Sequence, residues 1–303
     1  MGNDFITVVC CPICGSNDSD IIYNGNLKVQ DTPQIESENY ACTAPSLATY
    51  FDIAKCKKCK VAYSLFRPSD KKLEQLYRNI VDDVYLEEEE GRYKTFSLTI
   101  KDLNLLCQSR GRLFEFGSYT GIFLDLAQKN DWEVFGIELS NWCRKVAKEK
   151  RDLDLFSSQV EIDTLEERYF DSVVMWDVIE HVSRPAEIIN EAYRILKPGG
   201  ILALSTIVLD SLSAKLLRNK YPFFMEMHLI YFTQKTLTHF LECHGFEVIR
   251  YKRHKRYVSF AYAMSKFSFS SILQKNHILW RFLKNRYFFS SVGLRDIYAR
   301  KVR

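Results

Sequence analysis

The sequence lacks any apolar run long enough to cross a bilayer. Its most apolar later stretch, Ile201 to Leu217, is broken by Asp210 and Lys215 and falls short of the roughly 20 residues that a spanning helix needs. The N-terminal MGNDFITVVC has no basic segment leading into an apolar core, so no secretory leader is expected. Ile6 also stands where a myristoylation motif requires Ser or Thr. Internal repeats and low-complexity tracts are missing as well. With 47% hydrophobic residues among 303 and a mean hydropathy of -0.20, disorder is excluded. The expectation is a soluble, cytoplasmic, globular chain with one large core and a smaller appendage.

What the sequence does have is cysteine: nine in all, four of them in two Cys-x-x-Cys pairs. In a chain of this type such spacing argues for thiols and metal rather than disulfides. Cys11-Pro12-Ile13-Cys14 and Cys56-Lys57-Lys58-Cys59 form two knuckles about forty residues apart. Four thiolates around one ion favour zinc, and a closed four-cysteine site is structural rather than catalytic. Cys10 and Cys42 are spare candidates, while Cys107, Cys143 and Cys243 read as small buried apolar residues.

Charge is unevenly spread. From Arg250 to Arg303 there are 14 Lys or Arg against one acid, Asp296, whereas the chain before it is net acidic. The runs Tyr251-Lys252-Arg253-His254-Lys255-Arg256-Tyr257 and Trp280-Arg281-Phe282 mix basic and aromatic residues. They read as an insertion at about 251–290, between the last two strands, with apolar residues inward and basic ones solvated. The same composition suits an anionic membrane surface, the phosphates of a nucleotide-sugar, or nucleic acid. The N-terminal part is not especially basic, which weighs against a nucleic-acid-binding ribbon.

Changes of pattern divide the chain into residues 1–68, 69–110 and 111–303. Arg67-Pro68-Ser69-Asp70 marks a turn and a helix start. Tyr93, Phe96, Ile100, Leu103 and Leu106 then recur at helical spacing, and Glu87 to Glu90 read as a solvated face. From Gly111 onward strand-like and helix-like segments alternate, which predicts parallel βαβ units. Strands are expected at 113–116, 134–138, 155–157, 172–176, 201–206, 246–250 and near 293–300. Helices are expected at 121–129, 141–150, 185–196 and 233–244.

The first of these strands runs into Glu115-Phe116-Gly117-Ser118-Tyr119-Thr120-Gly121, whose glycines let backbone approach a ligand at a helix N-terminus. The dinucleotide fingerprint Gly-x-Gly-x-x-Gly is not satisfied here. The next strand ends in Glu138, about 20 residues downstream, where a carboxylate accepts both hydroxyls of a ribose.

Five blocks, LFEFGSYTGIFL, WEVFGIELS, FDSVVMWDVIEHV, RILKPGGILALST and HLIYFTQKTLTHFLECHGFEV, resemble class I S-adenosylmethionine-dependent methyltransferases, in particular a branch with an N-terminal cysteine-rich module that includes sugar and cell-surface polysaccharide methyltransferases. The implied fold is a doubly wound, Rossmann-like α/β sheet, mostly parallel with an antiparallel C-terminal strand, preceded by a small zinc-ribbon-like module that shapes the acceptor pocket. The resemblance implies that Glu115, Gly117, Ser118, Tyr119 and Gly121 cradle the methionine end of the donor and that Glu138, with Leu139 beside it, holds the ribose. It also places Gln159, Val160 and Glu161 at the adenine, and Trp176 and Asp177 at the sulfonium. Tyr119 departs from the commonest motif, which has glycine there, so its ring must turn away from the donor or lie over it.

A hydroxyl acceptor must lose a proton, and histidine is the commonest side chain for that work. His181 and His228, both expected at the carboxyl edge of the sheet, are the candidates. His239 and His244 read as packing or surface residues. The acceptor implied by the resemblance is a hydroxyl of a sugar, nucleotide-sugar or lipid-linked glycan precursor. Two alternatives stay open: an RNA-binding methylation factor gripping its strand through the zinc module and basic tail, and a catalytically silent scaffold of the same fold.

Overall fold

The computed structural model describes residues 5–8, 10–28, 35–44, 48–107, 110–265, 283, 286–291 and 293–302. Trp280-Arg281-Phe282 of the basic insertion lies outside them. The central sheet contains β6 (Arg112–Phe116), β7 (Glu133–Ile137), β8 (Phe170–Trp176), β9 (Leu196–Ile207), β11 (Phe246–Arg253) and β14 (Leu294–Lys301) in the order β11-β14-β9-β8-β6-β7. From β7 to β9 the pairs are parallel, and β14 is antiparallel to both of its neighbours. The expected strand at 155–157 is reduced to one parallel bridge, Ile137 to Phe156.

Alternation along the strands assigns the two faces. Phe114, Phe116, Val173, Met175, Leu202 and Leu204 pack with Ile189, Ala192 and Ile195 of α7 (Pro185–Ile195) and with Leu237, Phe240 and Leu241 of α9 (Gln234–Cys243). Leu113, Val174, Trp176, Ile201 and Ala203 face the other way. They meet Ile100 and Leu103 of α3 (Glu89–Leu106), Phe123, Leu124 and Ala127 of α4 (Ile122–Gln128), and Ala147 of α5 (Asn141–Arg151). Both faces are therefore covered, which explains why these strands read as continuous apolar runs.

Just after the helix Pro185–Ile195 ends, Lys197 to Gly200 forms a bulge in β9: pairing jumps from Phe170–Leu196 to Ser172–Ile201, and Lys197 Nζ reaches Asp171 at 2.8 Å.

The N-terminal segment forms β1 (Phe5–Thr7), β2 (Ser19–Tyr23), β3 (Ile53–Cys56), β4 (Ala62–Ser64) and β5 (Phe66–Pro68). Its larger sheet, β10-β4-β3-β2, takes its edge strand β10 (Ile230–Tyr231) from far downstream, with Ile230 opposite Tyr63. Residues 208 and 232 bridge β10 back to the end of β9. This places the cysteine-bearing sheet beside the carboxyl edge of the central sheet. Between the two lie α1 (Asp70–Arg78), started by Ser69, whose Oγ accepts the Lys72 N–H at 3.3 Å, and α2 (Asp83–Glu87).

The acidic run is a solvated face only in part: Glu87 and Glu90 are exposed. Glu88 is buried and accepts from both the N–H (3.2 Å) and the Oγ (2.5 Å) of Ser259, Glu89 pairs with Arg151, and Glu90 with Lys94. For Glu88 the reason lies in the C-terminal region. There β12 (Arg256–Ser259) and β13 (Tyr287–Ser290) form an antiparallel pair that lies across α3, bringing the Ser259 donors to Glu88 and the Tyr257 N–H to Thr95. Cys243, expected to be buried, is exposed at the end of α9.

Replacing Glu88 by Ala leaves the buried Ser259 N–H and hydroxyl proton without the carboxylate that accepts them. The expected cost is about 1–3 kcal/mol, read as a lower midpoint in urea denaturation with an unchanged slope.

Candidate active site

Where β6 ends, the chain turns sharply under the sheet's carboxyl edge. Gly117 takes φ +68° and Gly121 φ +80°. A Cβ on Gly117 would stand 2.8 Å from the Val178 side chain, so the turn admits no larger residue without displacing it. Tyr119, at φ +49°, is a non-glycine residue held in the left-handed region. Its ring packs 4.3 Å from that of Tyr85, and its hydroxyl donates to Asp82 at 2.7 Å while accepting the Cys42 N–H at 3.2 Å. The bulky side chain is thus drawn onto the N-terminal segment as one wall of a cavity of about 670 Å³.

Glu138 follows β7 and is 7% exposed. Its two carboxylate oxygens accept the backbone N–H groups of Tyr119 at 2.8 Å and Ser140 at 2.7 Å. Burial raises its pKa, opposed by those N–H bonds. Glu115 lies deeper. Its Oε2 has no hydrogen-bond partner among the described residues, and burial together with the Glu138 charge pushes its carboxyl well above the usual range. Such an orphaned acceptor fits an incoming ammonium group. Ser118, whose Oγ donates to the Glu115 carbonyl, and Leu139 also line the cavity.

Trp176 and Asp177 close the floor at the end of β8. Asp177 adopts φ +54°, and its Oδ1 accepts from Ser205 Oγ at 2.6 Å. Burial opposes its charge, but Arg256, His254 and Ser205 hold its pKa below the ordinary value.

Of the three residues expected at the adenine, Gln159 lines the cavity. Val160 does not; it is 72% exposed. Glu161 is turned away because its carboxylate caps its own helix, accepting the Ser157 and Ser158 N–H groups at 2.6 and 3.0 Å. Ile162, one residue on, faces inward in its place.

The opposite wall carries both candidate histidines, with ring centroids 4.7 Å apart. His181 Nδ1 donates to the Met227 carbonyl at 3.1 Å and His228 Nδ1 to the Phe223 carbonyl at 2.7 Å. Burial lowers both, to about 3 for His181, where His228 adds to it, and to about 4 for His228. Each is therefore a neutral imidazole near pH 7. Beside them the Glu180 carboxyl is 1% exposed and is raised to about 8 by burial and by Asp177. Tyr77 stands edge-on to His181 at 6.5 Å, its hydroxyl unpartnered among the described residues. His239 and His244 do not line the cavity.

Sequence reasoning missed three basic side chains. Arg92, from α3, is half-buried with its guanidinium 3.5 Å from the centre of the Tyr85 ring and its Nε unpartnered among the described residues. His254 and Arg256, at the end of β11 and the start of β12, also face the cavity. The basic tail therefore does not keep all its charges in solvent. The β12–β13 pair crossing α3 turns part of it inward, a long-range contact that no local pattern announces.

Outside the cavity lining, in the N-terminal sheet, the four knuckle sulfurs converge. Cys11 and Cys59 Sγ are 3.5 Å apart, Cys14 and Cys56 Sγ 3.6 Å, and all four lie within 4.8 Å of one another. Thiolates at about 2.3 Å from one tetrahedral ion would stand about 3.8 Å apart, so this donor set fits. Burial works against ionisation of Cys56, but the N–H of Cys59 and the Cys14 thiol bring it down to about 7.

A family profile described as a methyltransferase domain matches residues 87–251. Among curated proteins, a ubiquinone biosynthesis O-methyltransferase of Paracidovorax citrulli is 32% identical over 103 residues, covering 32% of this chain and 43% of that protein. One from Nitrosomonas europaea is 31% identical over 109 residues, covering 33% and 45%. The chain thus matches less than half the length of these relatives. Among solved structures, an S-adenosylmethionine-dependent methyltransferase from Thermotoga maritima superposes with a TM-score of 0.51 at 21% identity, covering 76% of this chain and 99% of that one, a likeness of fold.

The buried pair of His254 and Asp296, 2.6 Å apart, yields a pH expectation. Burial favours the neutral imidazole, but the Asp296 hydrogen bond and charge win and raise its pKa above the ordinary value. A proton held more tightly in the folded state stabilises fully below the unfolded value of about 6.5, and this contribution fades as pH climbs through the raised folded value. Asp296→Asn should flatten that alkaline loss, measured as urea stability against pH, with the His254 ring titration followed by NMR.

Proposed function

The chain belongs to the methyltransferase-domain family, and we propose that it is an S-adenosylmethionine-dependent methyltransferase whose cavity holds the donor at the Gly117 turn and passes the methyl to a hydroxyl oxygen. The observation that carries this is the buried Glu138 carboxylate, which joins the two backbone turns at the mouth of the sheet. An anionic oxygen pair in that position suits the two hydroxyls of a ribose. Glu115, with its orphaned Oε2, suits the methionine ammonium, and Arg92, with its unpartnered Nε, suits the methionine carboxylate. Gln159 and Ile162 border the adenine side, with Trp176 and Asp177 beneath the sulfonium.

The donor supplies a methyl that its sulfonium already makes electrophilic, so the protein's task is chiefly alignment, worth roughly 7–11 kcal/mol in good cases. An acceptor oxygen forms the new C–O bond with a lone pair, and the S–C bonding electrons remain on sulfur. The hydroxyl proton must then leave. The Nε2 atoms of His181 and His228 offer lone pairs to take it, since their Nδ1 atoms are occupied by backbone carbonyls.

The resemblance to sugar and cell-surface methyltransferases supports a sugar, nucleotide-sugar or lipid-linked glycan acceptor. A second reading, a phenolic acceptor, is favoured by the aromatic wall of Tyr40, Tyr77 and Phe223 and by the likeness to ubiquinone biosynthesis O-methyltransferases. Both readings share an oxygen nucleophile. Turnover of labelled donor against nucleotide-sugars, glycolipid precursors and small phenols separates them, and methylation confined to an amine or to RNA would overturn both. Cys11, Cys14, Cys56 and Cys59 are proposed to hold one structural zinc ion that keeps the neighbouring sheet, and with it β10, in place.

Glu138→Ala should weaken donor binding about ten- to hundred-fold, the loss of one or two charge-assisted hydrogen bonds, read by calorimetry. Unchanged affinity would remove Glu138 from the ribose.

A further inference from the structure

The wall opposite the donor contains three side chains whose chemistry is not exhausted by proton transfer. Donor atoms of Glu180, His181 and His228 all lie within 4.8 Å of one another. A carbonyl oxygen only accepts, so the contacts of His181 with Met227 and of His228 with Phe223 fix an N–H on both Nδ1 atoms. The nitrogen left on each ring is a bare Nε2 lone pair. Glu180 adds a buried Oε2 that has no hydrogen-bond partner among the described residues. Three groups that can each offer a lone pair therefore share one small volume.

Buried acceptors gathered in this way need either a cation or a donor supplied from outside. An imidazole whose other nitrogen is anchored to a backbone carbonyl is also the ordinary arrangement for a metal ligand, because that bond fixes both tautomer and ring orientation. We propose that Glu180, His181 and His228 form a second metal site, holding a divalent transition-metal ion through two imidazole nitrogens and one carboxylate oxygen. An ion with these donors at about 2.1 Å brings them to about 3–3.4 Å of one another, a contraction that side-chain rotation supplies.

Two nitrogens and one oxygen are too few to fill the coordination sphere, which sets this site apart from the closed thiolate centre. The open positions face the cavity that Tyr77 and Met227 also line. An acceptor hydroxyl bound there would have its proton acidified by the ion, so that the histidines act as ligands and solvent takes the proton. This catalytic use rests on the methyl-transfer reading of the cavity, whereas the binding of the ion does not.

The test uses the full-length protein with its cysteines loaded with zinc. Cobalt(II) or manganese(II) is titrated in and followed by visible absorption or electron paramagnetic resonance, and donor affinity is measured by calorimetry on the same samples. The expected result is one further equivalent of metal per chain, with no thiolate charge-transfer band, lost in His228→Ala. In Glu180→Gln, which keeps the shape and removes the charge, affinity should fall about ten-fold or more. Both variants should retain the native circular dichroism spectrum and the zinc content of the wild type.

The proposal is overturned if the wild type takes up no metal beyond the cysteine site, or if uptake is unchanged in Glu180→Gln. Donor binding without a second metal would sink the proposal and leave the methyl-transfer reading standing. Second-site metal without donor binding would do the reverse.

Discussion

The structure turns on one buried carboxylate. Glu138 receives an N–H from the turn after β6 and another from the turn after β7, so the loops at the mouth of two neighbouring parallel strands are tied through a single side chain. Bonds to an ionised acceptor are about twice as strong as neutral ones, and here they also hold Tyr119 in a backbone region that a residue with a Cβ enters at a cost. From Tyr119 the linkage runs on through its hydroxyl to Asp82, and from Asp82 to the backbone N–H and the hydroxyl of Thr43. The donor cradle and the N-terminal segment are thus parts of one polar network.

That network explains why the protein tolerates a tyrosine where a glycine is usual. The ring does not fill the cavity, because Tyr85 and Asp82 offer it a place on the wall. The opposite wall obeys a different rule. There His181 and His228 give their N–H groups to carbonyls, so the cavity has one side governed by carboxylates and backbone amides and a far side governed by imidazoles and the Glu180 carboxyl. Arg92 and Arg256 stand within the same cavity and give it a positive component that the overall charge of the chain does not suggest.

Much of this was legible in the residues themselves. Strand-like runs at 113–116, 172–176 and 201–206, alternating with helix-like ones, announced a parallel sheet, and the paired Cys-x-x-Cys spacing announced four converging sulfurs. Glu138 was legible because a strand-end acid at that distance from a glycine turn has few other uses. Less visible were contacts made across long stretches of chain. Glu88 reads as one of four solvated acids until the β12–β13 pair is seen to lie over it. Glu161 reads as a pocket residue until its capping of Ser158 is seen. His254 and Arg256 could not be separated from their exposed neighbours, since nothing in Lys252-Arg253-His254-Lys255-Arg256 marks which side chains turn inward.

The two-residue strand at Ile230–Tyr231 deserves to be followed to its outcome for anyone trimming the protein. Cutting away the first 68 residues would strip β4 from its partner and leave backbone N–H and C=O groups unpaired along an apolar edge, next to the aromatic cluster of Tyr221, Phe224 and Tyr231. Edges of that kind recruit strands from other molecules. The cysteine-bearing sheet is therefore a cover on the α/β half, and a shortened enzyme would trade its acceptor wall for self-association.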